Sequence, residues 1–365
     1  KIHLRSLDAV SYQQPVIGPD HTIYIPPKKG GLLAYSFEGD SLWQINNSSL
    51  DTTFSIDEFY APVIGAGGII FARGFGRKDS TLVFAAASDT AILWQNRVKG
   101  RGGSNMIIGR NGTLFFATSD GWLHAIDSNN GQQLWKTRGH SGYRYVATLM
   151  TTAVSPDGEA LYITGSGGTI DALSTAGGSL LWTYETQLPG LPSIMVDNRG
   201  YIYGYSVNDG NTDFICLKPD GSLRWSHQVA DIPIDKYGPT GVANVIDYNG
   251  YIYALSFCRS GPGSILYSLD YEGNLRWKRN LFLYEKSYYT SGIFLYCDSE
   301  NRIYSFAYGN HAGNFLMAFS QEGKKIIAVE LKTTDELLAA LGPDQSILFN
   351  TDVRGTRGTY LIKIQ

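Results

Sequence analysis

Residues 125–135 read AIDSNNGQQLW, and the fold depends on whether that stretch is unique. Ala125-Ile126-Asp127 ends one strand, Ser128-Asn129-Asn130-Gly131 reverses the chain, and a second strand closes on Trp135. The shape recurs. AYSFEGDSLW ends at Trp43, AAASDTAILW at Trp94, ALSTAGGSLLW at Trp182, CLKPDGSLRW at Trp225 and SLDYEGNLRW at Trp277. Successive tryptophans lie 51, 41, 47, 43 and 52 residues apart, a period of about 47 that belongs to solenoids and propellers.

Upstream of each closing segment lies a second hairpin. GRNGTLFFAT (109–118), SPDGEALYIT (155–164), DNRGYIYGYS (197–206), DYNGYIYALS (247–256) and DSENRIYSFA (298–307) share a turn rich in Asp, Asn and Gly followed by an alternating strand. Each unit is then four antiparallel strands, the content of a propeller blade. LGPDQSILFN (341–350) repeats IGPDHTIYIP (17–26), and one further strand, TYLIKIQ (359–365), follows it. KIHLRSL (1–7) precedes the first unit and suits the missing fourth strand, a pairing that would remove two exposed edges. The expectation is an all-β, eight-bladed β-propeller of four-stranded antiparallel blades. Residues 1–365 form one domain, and the N-terminal strand joins the C-terminal blade to close the ring. TTDELLAAL (333–341) looks like a capped helix, but the repeat register demands an inner strand there.

The composition agrees with this reading. Hydrophobic residues make up 43% and charged residues 17%, enough for a sizeable core, and 42 Gly with 24 Tyr suit short strands and tight turns. A net charge of −3 supplies no field for nucleic acid. Cys216, Cys258 and Cys297 are odd in number and far apart, which suits small buried side chains better than a disulfide framework. No apolar run reaches the length of a transmembrane helix, and the start at Lys1 suits a processed exported chain and a trimmed one alike.

The closing segments resemble the quinoprotein-like (PQQ-type) β-propeller repeats, whose blades end in Ala-x-Asp-x-x-x-Gly-x-x-x-Trp. Ala125, Asp127, Gly131 and Trp135 match that pattern in full. Ala172, Gly178 and Trp182 keep it with Ser174 for the Asp; Trp225 and Trp277 close versions one residue shorter around Gly221 and Gly273. AFSQEGKKIIAV (318–329) keeps Ala318 and Gly323 without the Trp. The resemblance implies two functional models. One is the quinoprotein dehydrogenases, which hold PQQ and Ca²⁺ in a central funnel and typically carry adjacent cysteines, a pair absent here. The other is the family's non-catalytic scaffold members, similar in length and blade number. Such a lipoprotein scaffold would be membrane-anchored through a segment lying before Lys1. The scaffold model is preferred, with no cofactor.

The six histidines, His3, His21, His124, His140, His227 and His311, lie in separate units with no metal-binding spacing. GFGRKD (74–79) lacks the helix a phosphate cradle needs, and NDGNTD (208–213) suits a solvated hairpin tip better than a calcium loop. Asn46, Asn47 and Asn111 head glycosylation sequons, which count only in a eukaryotic secretory pathway.

Binding is expected on the loops that connect blades and that join second and third strands, because loops on a rigid scaffold carry function. Arg73, Arg77, Tyr143, Arg144, Tyr145, Tyr237, Arg259, Tyr288, Tyr289, His311, Arg354 and Arg357 are the candidates, since Tyr with Arg is the composition of binding hot spots. Asn105, Thr152, Ser193, Thr240 and Ser291 are expected to line a small polar funnel mouth. The expected function is a non-enzymatic platform for a protein partner, exported to the periplasm or beyond. A carbohydrate-binding or polysaccharide-processing surface protein using the same aromatics and a degenerate PQQ-dependent dehydrogenase are the alternatives.

Overall fold

Short runs such as Ile202–Asn208 and Ile252–Ser256, rich in β-branched and aromatic residues and bounded by turns, hydrogen-bond to the run before and the run after them in the chain. The computed structural model describes residues 2–7, 13–27, 31–51, 53–76, 79–88, 90–138, 152–165, 168–187, 193–208, 211–230, 243–256, 265–281, 295–309, 313–331, 338–342, 346–353 and 356–364. Among them are eight antiparallel sheets and no α-helix. Seven sheets have four strands, with strands consecutive in the chain lying side by side. They cover residues 16–45, 107–138, 152–185, 195–230, 244–280 and 295–331, and the last joins 338–364 to Ile2–Leu7. In that last sheet Ile2 pairs with Ile364 and Leu7 with Thr359, so the first and last strands of the chain are neighbours. The sheet over 58–99 has five strands, because both Glu58–Phe59 and Val63–Ile64 pair with Ile70–Phe75. Leu338–Leu341 is a strand, as the repeat register requires of TTDELLAAL; residues 332–337 lie outside the description.

Two compact units carry these sheets. The first comprises residues 1–139, 143–148 and 338–365, the second residues 140–142 and 149–337. Inside each unit the core lies between neighbouring sheets, and strand alternation supplies both faces. In strand Ile70–Phe75, Ile70 and Ala72 pack towards the 16–45 sheet with Tyr24 and Leu32, whereas Phe71 packs with Leu114 and Phe116 of the 107–138 sheet. In the second unit Ile202 meets Tyr162 and Ile170, while Tyr203 and Tyr205 meet Ile252 and Ala254.

Turn chemistry fixes how the sheets meet. Gly221 (φ 83°) and Gly273 (φ 86°) are left-handed, and a Cβ on either would lie 2.6 Å from the ring of Trp182 or Trp225. The indole therefore lies flat on the turn of the next sheet. Its N–H donates to a turn carbonyl: Trp182 to Pro219 at 3.0 Å, Trp225 to Tyr271 at 3.1 Å, Trp277 to Gln321 at 2.9 Å and Trp94 to Ser128 at 2.7 Å. Just before each tryptophan the fourth strand carries a bulge, whose extra residue is Leu42, Leu93, Leu134, Leu181, Arg224 or Arg276. In the 295–331 sheet the extra residue is Ile326, and Ile327 stands opposite Ala318 where the other sheets have Trp.

In three repeats the first turn has its own lock. Asp247 Oδ1 accepts the N–H groups of Asn249 and Tyr251, both at 2.9 Å, and its Oδ2 accepts the Tyr253 hydroxyl at 2.9 Å. Asp197 with Tyr203 and Asp298 with Tyr304 repeat the arrangement. Both Asp/Gly turns of a sheet lie at one end. The connectors between sheets and the tips joining second to third strands lie at the other, which is called the connector end below.

Candidate functional site

The best-described connector, residues 100–106, leads from the 58–99 sheet into the 107–138 sheet. It is held from below by Arg73. That arginine was expected on an exposed loop; instead it lies within strand Ile70–Phe75 and is 0% exposed. The reason is local pairing: Glu58 and Phe59 bond to Phe75 and Gly74, and the Tyr60 N–H donates to Arg73 O at 3.0 Å, so the sheet runs past the position. Arg73 Nη2 donates to Ser104 O, and the guanidinium sits 3.9 Å from the Tyr60 ring centroid and 4.9 Å from that of Phe116. Among the described residues Nε and Nη1 have no hydrogen-bond partner. Burial pulls the guanidinium pKa down to about 10, with Tyr60 opposing, so the group stays cationic at neutral pH.

The connector is rigidly bonded. Gly103 N–H donates to the Tyr60 hydroxyl at 3.0 Å, and Ser104 Oγ accepts the Ala117 N–H at 3.0 Å while donating to Asn105 O at 2.9 Å. Gly103 has φ 129°, and a Cβ there would run into the Ala117 carbonyl. Beside it His124 is buried, stacked on Phe116 at 5.3 Å, with Nε2 3.2 Å from Thr118 Oγ1 and Nδ1 3.1 Å from Gln133 Oε1. Burial, opposed by the Gln133 hydrogen bond, holds the imidazole pKa below its ordinary value, and the Thr118 hydroxyl is itself fully buried and bonded to Asp120 at 2.7 Å. This His–Thr–Asp chain therefore fastens the tip of the 107–138 sheet and offers substrate no hydroxyl to attack.

A second concentration of Arg and Tyr lies at the turn end of the second unit. Arg224 sits 4.0 Å from the Tyr271 ring and 4.7 Å from Tyr201, and its Nη1 donates to Tyr271 O at 2.7 Å. Arg199 caps Tyr271 at 4.1 Å, and Arg276 lies 3.4 Å above Tyr251. Tyr248, at 77% exposure, stands on the adjacent turn. Sequence reasoning passed over this layer because it looked to the connectors. The signal was present: Leu-Arg-Trp replaces Leu-Trp at Trp225 and Trp277, and Tyr follows the turn glycine at Tyr201 and Tyr251.

Of the other expected binding residues, Arg77, Tyr143, Arg144, Tyr145, Tyr237, Arg259, Tyr288, Tyr289, His311 and Arg354 lie outside the described residues, as do Thr240 and Ser291. Arg357 belongs to strand Thr356–Ile364, opposite Asp352. Asn105 is exposed, while Thr152 and Ser193 are half-buried, with Ser193 O accepting Asn244 Nδ2 at 3.3 Å. Asp213, expected at a solvated hairpin tip, is instead buried in strand Asn211–Leu217 and accepts the Ser226 hydroxyl, because the strands continue to Asn208 and restart at Asn211. Cys216 and Cys297 are free thiols that burial pushes up to about 11 and about 12, so neither is a thiolate at neutral pH. Among the described residues no group of His, Cys, Asp and Glu is arranged to hold a metal, and no helix is long and apolar enough to cross a membrane.

Consecutive antiparallel sheets, four of which lay a tryptophan (Trp94, Trp182, Trp225 and Trp277) on the turn of the next, define a protein built of PQQ-type repeats, the repeat from which β-propellers are made. The chain belongs to the family described as outer membrane protein assembly factor BamB, whose model matches residues 28–200 and 78–333. Relatives of that name share 24% identity over 269 residues in Yersinia pestis, covering 68% of this chain and 63% of the relative. In Escherichia coli the match is 25% over 169 residues, covering 41% of this chain and 40% of the relative. This chain thus spans less than two thirds of the length of these curated relatives. Among solved structures, BamB from Moraxella catarrhalis superposes with a TM-score of 0.66 at 14% identity, over 99% of this chain and 98% of that one. A quinohemoprotein alcohol dehydrogenase from Pseudomonas putida HK5 gives 0.65 at 10% identity, over 100% of this chain and 77% of that one. At such identities the likeness concerns fold alone.

Proposed function

We propose that the chain is a non-enzymatic, eight-bladed propeller that binds a protein partner during assembly of outer membrane proteins. The observation that carries the reading is the family match over residues 28–333. In this reading the eight sheets are the blades of one domain spanning 1–365, and strand Ile2–Leu7 completes the blade begun by Leu338–Leu341 and so closes the ring. A chain of this family would work in the cell envelope after export, attached to the membrane through a segment preceding Lys1. The partner would dock on the connector end, and Tyr143, Arg144, Tyr145, Tyr288 and Tyr289, which lie in the sequence between consecutive sheets, are the residues proposed to meet it. The quinohemoprotein fold likeness favours no second reading, because one fold hosts many activities.

The test is affinity capture from solubilised cell envelopes with the wild-type chain and with Tyr143, Arg144 and Tyr145, or Tyr288 and Tyr289, changed to Ala. Loss of a captured outer-membrane assembly protein, about tenfold or more for at least one variant, is the expected result. Undiminished capture by every loop variant, or saturable binding of PQQ with Ca²⁺, would count against it.

A further inference from the structure

We propose that one corner of the first unit's connector end, formed by Trp122, Lys136, Arg138, Lys99 and Arg101, receives an acidic segment of the protein partner, whose Asp or Glu carboxylates meet the cations. The inference rests on the partner reading above and adds the chemistry of what docks.

The argument begins with a tryptophan that departs from the repeat. Trp94, Trp182, Trp225 and Trp277 spend their indole N–H groups on the turn of the next sheet. Trp122 instead opens strand Trp122–Asp127 at the connector end, is half-buried, and its indole N–H has no partner among the described residues. Lys136 Nζ lies 4.7 Å from its ring and the Arg138 guanidinium 4.8 Å, and Arg138 stands directly opposite Trp122 across the strand pair. The 152–185 sheet shows what the fold itself asks for. Counted from Ala172 opposite Trp182, the same register puts Thr169 opposite Glu185, with Thr183 two residues before it. The tip therefore forms without the indole and without either cation.

Lys99 and Arg101 flank the same tip. The Ser119 N–H donates to Arg101 O at 2.8 Å, and a Cβ on Gly100 would lie 2.6 Å from Asp120 Oδ1, so residues 99–101 run against residues 118–122. Arg101 also lies 4.9 Å over the half-buried Phe75 ring. Lys99, Arg101, Lys136 and Arg138 are all exposed, and among the described residues none of these side chains has an ion pair or a hydrogen bond. Arg97 and Arg302, by contrast, are paired within the chain, with Asp51 and Asp298. The carboxylates nearby are used elsewhere or stand apart: Asp120 accepts the Thr118 hydroxyl at 2.7 Å, Glu58 accepts the Gln13 amide at 2.9 Å, and Asp79 is exposed on the neighbouring tip. Unpaired cations around a tryptophan with an open donor suit a partner that brings carboxylates together with apolar side chains to cover Trp122 and Phe75. A nucleic acid or an anionic lipid surface needs a wider basic field, and the chain as a whole carries −3.

The experiment is capture from solubilised cell envelopes by the full chain and by a variant carrying Lys136→Gln with Arg138→Gln, followed by a water-soluble carbodiimide, which joins amines to carboxylates. Capture of the assembly protein should fall about tenfold in the variant, and also in the wild type when NaCl rises from about 50 to about 300 mM. Mass spectrometry should find Lys136 or Lys99 joined through an amide to an Asp or Glu of the captured protein. Equal capture by the two chains without such a crosslink overturns the inference and leaves the partner reading standing. No capture by the wild type overturns both. Wild-type binding to phosphatidylglycerol vesicles or duplex DNA that the variant loses, with no protein carboxylate crosslinked, assigns the corner to another anion and overturns the inference too. Should the variant fail to fold, the wild-type salt series and its crosslinks decide alone.

Discussion

The 244–280 sheet keeps every device of the repeat, and the 58–99 sheet departs from it at four places. In the first, Asp247 ties its turn and Tyr253, Gly273 makes room for Trp225, and Trp277 reaches Gln321. Gln321 Nε2 returns a bond to Asp247 at 2.6 Å, so the turns of neighbouring sheets are cross-linked. In the second, Ala66–Gly68 replaces the Asp-led turn, the inner strand is split in two, Thr90 stands left-handed (φ 74°) where others have Gly, and Arg73 occupies a slot filled elsewhere by Tyr205 or Leu255. Both still form sheets and lay their tryptophans down. The fold therefore needs the register and the bulge more than any single turn residue.

This contrast can be broken at its strongest point. Gly273→Val puts a β-branched side chain at φ 86° against Trp225, and backbone strain with overpacking should cost about 3 kcal/mol in urea unfolding. Thr90→Val in the departed sheet should be close to neutral by the same assay, since a β-branched residue already sits there. Equal losses would dissolve the distinction. A smaller effect is expected of Tyr253→Phe, which removes a buried donor to Asp247 and should cost about 1 kcal/mol. The converse change, Thr90→Gly, relieves a left-handed threonine and should stabilise by about 1 kcal/mol.

The pH dependence reads other sheets of the chain, and more gently. Burial, then Asp298, pushes the Tyr304 pKa to about 12, and burial with Asp157 does the same for Tyr162. Unfolded tyrosine ionises near its ordinary 10.0, so stability is full below that pH and falls between 10 and about 12. Phenolate absorbance at 295 nm should therefore appear for these residues with unfolding rather than before it. His124 acts at the other end of the scale. Its native pKa is held below 6.5 by burial, so the unfolded chain takes up a proton first and stability falls as pH drops through that value. His124→Gln should flatten that part of the profile.

The repeat could be read from the sequence because its tryptophans and turn residues sit at fixed offsets, and the pairing of residues 1–7 with the last strand followed from counting strands. The bulge one residue before each tryptophan was not readable, since an extra residue in a strand leaves no mark on composition. The turn before Trp94 was read, but the positive φ at Thr90 was not, because glycine was the expected sign of one. Arg73 was misplaced for a related reason. Arg-Gly-Phe-Gly-Arg reads as loop chemistry, and only the pairing of Glu58–Phe59 with Gly74–Phe75 draws it into the sheet. The Arg and Tyr layer around Tyr271 went unnoticed because its residues come from three separate turns and strands.

The central claim is that the connector end of the sheets receives a protein partner in outer membrane protein assembly. Within the 107–138 sheet, exposed Asn105 lies at the connector end and exposed Asn129 at the turn end. Placing a photo-crosslinking residue at each, one at a time, and irradiating intact cells reads the two ends directly. An adduct with an outer-membrane assembly protein from position 105 and none from 129 is the result this account predicts. An adduct from position 129 alone would contradict it.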